Sequence, residues 1–385
     1  MPTDFSPAPF RIDVPDAVLI DLKERLSRTR WPDQIPGTTW EYGTDISALQ
    51  RLCTHWAETY DWRVAEAALN AWPQFTAKVD GQNIHYAHIR SSRQNAMPLV
   101  LTHGWPGSIA EFLKVVGPLT DPTAHGGEAD DAFHVVVPSI PGYGFSGPTT
   151  AQGWDVARVG RAIASVMAGL GYARYGAQGG DWGSIISSHI AVQDADHVAG
   201  IHINMVVARP PEGDPMTGVL PEEMAGLAYM AQFRGHETGY QEIQKTRPQT
   251  LAYGLTDSPA GLAGWILEKF RQWSDCNGDP FSEYSLDELC TNIMIYWVTG
   301  TINSSTRLYY ETIGPDRTTA LPRVEVPTAC AIFPKELYQA PRVWAEQQYN
   351  VQHWSRFEHG GHFAAMEEPT ALVDDVRSFF RTIRK

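Results

Sequence analysis

One stretch of five residues constrains this chain more than its length does. Gly179-Gly180-Asp181-Trp182-Gly183 stands between an extended pattern, RYGAQ (174–178), and a helical one, WGSIISSHIAVQ (182–193). Small residues around a central reactive one admit a tight strand-to-helix turn, and such a turn lifts the central side chain above a sheet. Here that side chain is a carboxylate. With an ordinary pKa of about 3.9, an aspartate is already a nucleophile at neutral pH and needs no base to activate it. Read alone, the same letters also describe an acidic cap after a glycine turn, so the rest of the chain must decide.

The surrounding pattern is α/β. FTAKVDGQNIHYAHIR reads as two strands about the Asp80-Gly81 turn, with PLVLTH (98–103), HVVVPSI (134–140), VAGIHINMV (198–206) and VPTACAIFP (326–334) as further strands. Between them, VARVGRAIASVMAGLGY (156–172) and the stretch after Asp181 are helical, and EEPTALVDDVRSFFRTIR closes the chain as an amphipathic helix. Strands alternating with helices predict a mostly parallel sheet with right-handed crossovers. Before it, PDAVLIDLKERLSR (15–28) places Val18, Leu19, Leu22 and Leu26 at helical spacing. The stretch DISALQRLCTHWAETYDWRVAEAALNAW then reads as one further helical pattern ended by Pro73, and no strand is expected in the first seventy residues. From about Arg209 to Leu321 the alternation gives way to helices. The expected organisation is a wrapping helical segment (1–95), a catalytic core (96–208 and 321–385) and a helical cap (209–320).

Two motifs turn the acidic elbow into a candidate active site. His103-Gly104-Trp105-Pro106-Gly107-Ser108 directly follows the strand PLVLT, where the α/β-hydrolase arrangement places one backbone donor of its oxyanion hole. The other donor follows the nucleophile, so the pair is Trp105 and Trp182. Gly360-Gly361-His362-Phe363 precedes the last helix, and Glu336 lies at the end of the strand before it. The order Asp181, Glu336, His362 is then nucleophile, acid, histidine. His359 competes with His362, and Glu358 or Glu325 with Glu336. Gly142-Tyr143-Gly144-Phe145-Ser146-Gly147 matches a dinucleotide string but lies between Pro141 and Pro148, with no helix opening at its third glycine, and reads as a turn-rich loop.

Composition excludes other classes. With 30 basic and 44 acidic residues the formal charge is −14, which argues against nucleic acid or an anionic membrane as partner. Cys53, Cys276, Cys290 and Cys330 are far apart and form neither a disulfide framework nor a zinc pattern. The N-terminus, acidic and proline-containing, does not read as a signal peptide. The uncharged stretch from Leu289 to Thr306 is too rich in Thr, Asn, Ser and Gly for a spanning helix. A cytoplasmic protein is expected.

Together, HGWPGS, PGYGFS, GGDWGS and GGHFAAMEEP resemble the epoxide hydrolases of the α/β-hydrolase superfamily, closest to the microsomal type. WEYGTD, YDWR and ALNAWPQF are similar to that family's N-terminal segment, and ETGYQEIQKTRP and YWVTGTINSSTRLYYE to its cap. The resemblance implies Asp181 as nucleophile, Glu336 as acid, His362 as base, and two cap tyrosines holding the epoxide oxygen. These fall on Tyr240 and on Tyr309, with Tyr310 adjacent to the latter. The membrane anchor of animal members does not carry over. The resemblance thus implies an epoxide hydrolase that needs no cofactor or metal, with a small apolar or aryl epoxide and water as partners and a homodimer as the candidate assembly. Its role would lie in detoxification or secondary metabolism. A haloalkane dehalogenase, with a halide leaving group, and a non-catalytic ligand-binding protein on the same fold are the rival readings.

Overall fold

The computed structural model describes residues 5–317 and 320–384. The ends of the expected segments at residues 1–4, 318–319 and 385 lie outside these. A nine-stranded sheet runs through the molecule, formed by β1 (Ala8–Phe10), β2 (Gln74–Val79), β3 (Gln82–Ile89), β4 (Met97–Thr102), β5 (Phe133–Pro138), β6 (Tyr175–Gly179), β7 (Val198–Ile203), β8 (Val324–Ile332) and β9 (Tyr349–Arg356). Its order is β1-β2-β3-β5-β4-β6-β7-β8-β9. The six strands from β5 to β9 in that order are parallel, and β1 to β3 join antiparallel at one side. The expected α/β-hydrolase fold is present.

Helices cover both faces, as the pleat of β6 shows. A Cβ on Gly176 would strike Phe380 of the last helix, Pro369–Ile383, whereas one on Gly179, on the other pleat, would strike the backbone of Gly183 in helix Asp181–Gln193. The four cysteines are free and buried. Among the described residues, no helix is long and apolar enough to cross a membrane.

Two expectations about the first ninety residues need correction. A strand does occur in the first seventy, since β1 pairs with β2 through Ala8, Pro9 and Phe10. Three residues are too few to show an alternation. The second helical pattern is two helices, Ile46–Glu58 and Trp62–Asn70, because Asp61 starts a new helix by accepting a hydrogen bond from the Arg63 N–H at 2.9 Å. This segment therefore contributes strands to the sheet as well as helices. Those helices clasp the helical block between β7 and β8: Thr44 Oγ1 donates to Gly264 O at 2.7 Å, and Tyr60 OH meets Thr291 Oγ1 at 3.0 Å. At the opposite edge β9 is a further strand that the sequence pattern does not announce. Its sequence YNVQHWSR is half polar because an edge strand buries little, and its pairing with β8 shifts register.

Candidate active site

Asp181 opens its helix with φ +48°, a left-handed conformation rare for a side chain other than glycine. Close packing imposes the turn, since a Cβ on Gly183 would strike the Thr102 carbonyl on β4. The carboxylate is thereby lifted to the end of the sheet with its side chain 14% exposed. Trp105 N–H donates to Asp181 Oδ1 at 2.8 Å. Trp182 is the second residue of the helix, so its N–H has no acceptor within the helix.

His362 lies on the other side of the carboxylate, Nε2 3.4 Å from Asp181 Oδ2 and Nδ1 2.8 Å from Glu336 Oε1. Both His362 and Glu336 side chains are almost wholly buried. Burial opposes the imidazolium, but Glu336 and Asp181 more than offset it and hold the His362 pKa well above its ordinary value. The Leu337 N–H donates to Glu336 Oε1 and fixes the carboxylate. The competitors lie elsewhere. His359 has a 77% exposed side chain, Glu358 is exposed, and Glu325 is exposed beside Arg323.

Tyr240 and Tyr309 come down from helices Gly239–Thr246 and Ile302–Ile313. The Tyr240 ring stacks on Trp105 at 5.4 Å between centroids, and Tyr309 meets the edge of Trp182 at 4.7 Å. The two tyrosine rings are 5.9 Å apart. Burial first, and the Asp181 charge second, push the Tyr240 phenol well above its usual range, whereas for Tyr309 burial is followed by Tyr240 and then Asp181. Both hydroxyls therefore keep their protons. Tyr310 is 36% exposed and points away, under Arg317. A cavity of ≈310 Å³ holds Asp181, Trp182, Tyr240 and Tyr309 in its wall, with Ile185, Met205, Val207 and Leu337 among its apolar lining. On the other side of Asp181 lies a second cavity, of only ≈20 Å³, lined by His362, Trp105, Glu111, Gln178 and Asn204.

Supporting residues without a local sequence signal complete the site. Asn292, buried on helix Leu286–Thr299, donates to Pro106 O at 2.7 Å and accepts from Ser108 Oγ at 2.8 Å, and Tyr296 OH donates to Gly107 O at 2.6 Å. The HGWPGS loop is thus tied down from above. His362 N–H donates to Trp273 O at 2.9 Å, so the histidine loop is held from the same helical block. His103 is structural: burial lowers its pKa to about 4, its Nδ1–H donates to Gly104 O, and its Nε2 accepts from the Ile140 N–H. The PGYGFS loop, as expected, opens no long helix; Gly144 N–H instead donates to Thr301 Oγ1 at 3.1 Å.

A donor loop, a buried acid and histidine, and two buried tyrosines now stand around the carboxylate of one acidic elbow. The family model described as epoxide hydrolase N terminus matches residues 7–112, and that for the alpha/beta hydrolase fold matches residues 97–239. Epoxide hydrolase 1 of Sus scrofa is 36% identical over 404 residues, covering 98% of this chain and 89% of that protein. The chain belongs to the epoxide hydrolases. A chain of this family from Stigmatella aurantiaca (strain DW4/3-1), "Putative epoxide hydrolase", is 47% identical over 377 residues, 98% of this chain and 85% of that one. The juvenile hormone epoxide hydrolase of the silkworm Bombyx mori superposes with a TM-score of 0.90 at 32% identity, covering 99% of this chain and 95% of the silkworm chain.

Proposed function

We propose that this epoxide hydrolase adds water to an apolar or aryl epoxide, giving a vicinal diol through a covalent ester on Asp181. The observation that carries the reading is the position of the Asp181 carboxylate, with the Tyr240 and Tyr309 pair on one side and the His362 and Glu336 pair on the other. In the first step an Asp181 oxygen attacks an epoxide carbon, the carbon–oxygen bond of the ring breaks, and a tyrosine hydroxyl gives its proton to the departing oxygen. Negative charge moves from the carboxylate to the phenol. In the second step His362 takes a proton from water as the water oxygen adds to the ester carbonyl, and the N–H groups of Trp105 and Trp182 hold the oxyanion. Collapse releases the diol, with the His362 proton going to the departing alkoxide and the remaining acid proton returning to the phenolate. The apolar wall of the ≈310 Å³ cavity supports an apolar or aryl substrate.

The paired cap tyrosines favour an epoxide over a haloalkane, because an alkoxide needs an acid whereas a halide needs only N–H donors. Styrene oxide assayed against a bromoalkane tests that choice. We also read residues 209–320 as a cap over a core of 96–208 and 321–385, with 1–95 wrapping both. Four free cysteines suit a reducing, cytoplasmic setting.

His362→Gln tests the mechanism, because histidine is needed only in the second step. Exposed to an epoxide, the variant is expected to hold an ester on the peptide containing GGDWGS, seen as a mass increase. A folded, substrate-binding variant with no adduct at Asp181 would sink the two-step scheme.

A further inference from the structure

The large cavity continues past the proposed reacting centre. Along helix Asp181–Gln193 its wall includes Asp181, Ile185 and His189, residues four apart that share one face of the helix. Eight residues of helix set Asp181 and His189 about 12 Å apart along the axis. Arg209 and Ala320 in the same wall are exposed, whereas His189 is only 3% exposed, so it stands inside the cavity and not at its mouth.

His189 differs from other polar groups in that wall. Tyr349 OH donates to Val207 O at 3.0 Å, Gln348 Nε2 donates to Pro322 O at 2.8 Å, and Thr312 Oγ1 accepts from the Val156 N–H at 3.3 Å. Each is tied to the backbone. His189 Nε2 is buried without a partner among the described residues, and a buried nitrogen left unpaired loses its hydration without compensation. Packing does not require it. His189 lies against helix Val156–Gly169, where a Cβ on Gly160 would stand 3.2 Å from the His189 Cβ, and an apolar side chain would fill the same place without that loss. Burial lowers the His189 pKa by more than nearby Asp155 raises it, and Arg161 lowers it further, so the ring is neutral at pH 7. One nitrogen of a neutral imidazole donates and the other accepts.

We infer that His189 is a specificity-determining residue, and that its end of the cavity takes a neutral oxygen function, a hydroxyl or a carbonyl, at the far end of an elongated epoxide. The inference deepens the proposed function and rests on it: the oxirane lies at Asp181 beside Tyr240 and Tyr309, and the chain runs past Ile185 to the imidazole. Ile185 offers no hydrogen bond, so an oxygen placed against it would be buried unpaired. An oxygen at His189 instead pairs both itself and the ring. A carboxylate fits less well, because a neutral ring brings one N–H and no charge to offset that of the ligand.

The test compares kcat/KM of the full-length enzyme for a terminal epoxydecane with that for the same chain carrying a hydroxyl or a ketone at its far end. His189→Leu, which keeps the bulk of the ring, is expected to lower the ratio of oxygenated to plain chain by about 10-fold or more, through the oxygenated substrates, and to leave the plain chain within about 2-fold of wild type. His189→Asn, which keeps a donor and an acceptor, should hold the ratio nearer the wild-type value than the His189→Leu value. With terminal epoxyhexane and its far-end alcohol, too short to reach the ring, the ratio should not respond to either variant. If His189→Leu does not fold, His189→Asn and the chain-length comparison decide. A ratio for the long chains that is the same in wild type and variants, as when only water fills that end, or an equal loss on plain and oxygenated chains, would overturn the proposal. If the wild type gives no diol from any of these chains or from styrene oxide, the proposed function falls and this inference with it; if all are hydrolysed and the ratio ignores His189, only the inference falls.

Discussion

The cavity in front of Asp181 and the chamber behind it have different walls and share only Asp181. In front, the wall is mostly apolar, the space is ≈310 Å³, and two tyrosines enter the wall from the helices between β7 and β8. Behind, the wall comes from strand ends, the loops after them and the last two helices, the space is ≈20 Å³, and the polar groups are a histidine, carboxyls and the amides of Gln178 and Asn204. The first half of the proposed reaction takes an epoxide, whereas the second uses water. The two regions are not independent, since the helical block that carries the tyrosines also ties down the HGWPGS and histidine loops through Asn292, Tyr296 and Trp273.

The largest effect should come from the one residue the regions share. Asp181→Ala is expected to lose both ester formation and turnover, by about 10⁴-fold or more, measured as diol formed from styrene oxide. Retention of a tenth of the activity would mean that the elbow is a cap and nothing else. Next come the tyrosines. Tyr240→Phe and Tyr309→Phe should each slow ester formation by about 10- to 100-fold and leave ester decay unchanged, the reverse of the pattern expected for His362→Gln. Ester accumulating in a tyrosine variant would place that hydroxyl in the wrong half of the reaction.

The two regions also communicate through charge. In the resting protein Glu336 and Asp181 together hold the His362 pKa up. In the proposed ester the Asp181 charge is gone, so the His362 pKa should fall there, leaving the proposed base neutral over a wider range of pH. Hydrolysis should decline about tenfold per pH unit only below that lowered value. The decline is expected at a lower pH than the titration of the His362 ring in the resting enzyme, followed by NMR. Coincidence of the two would show that the front carboxylate is not felt behind.

A smaller effect tests how the helical block supports the loops below it. Asn292→Ala leaves Pro106 O and Ser108 Oγ without their buried partner, which costs about 1–3 kcal/mol. A lower melting temperature with a loss in turnover of only a few-fold is expected. Unchanged stability would mean that the HGWPGS loop holds its shape unaided.

What could be read from the sequence divides along the same line. The elbow, the donor loop, Glu336 and His362 are legible because each is fixed by backbone geometry within a few residues, where glycine and strand ends leave a local trace. Glu111, in the wall of the small cavity, is hidden because its letters already have a sufficient local meaning in the first turn of a short helix, and nothing local tells whether a carboxyl turns in or out. Asn292 is hidden because its partners are 184 and 186 residues away. β1 and β9 escape because edge strands bury too little to impose a pattern. Contacts across the fold, not along the chain, decide all of these.

The adjacent pair Tyr309 and Tyr310 gives the smallest and most discriminating test. Consecutive residues on a helix point about 100° apart, so only one of them can face Asp181, and the sequence STRLYYE does not say which. The choice depends on how helix Ile302–Ile313 is rotated about its axis, which is set by what it packs against. Ser304 Oγ hydrogen-bonds to Gly142 O and Arg307 donates to Thr149 O at 2.9 Å, so this helix is pinned to the loop after β5. With that rotation Tyr309 is 1% exposed in the cavity wall and Tyr310 36% exposed under Arg317. Tyr310→Phe should change ester formation by less than about 2-fold, because an exposed phenol that touches neither compartment contributes little. If Tyr310→Phe instead matched the loss expected for Tyr309→Phe, the helix would have to be rotated by about 100°, and the front cavity would have a different wall.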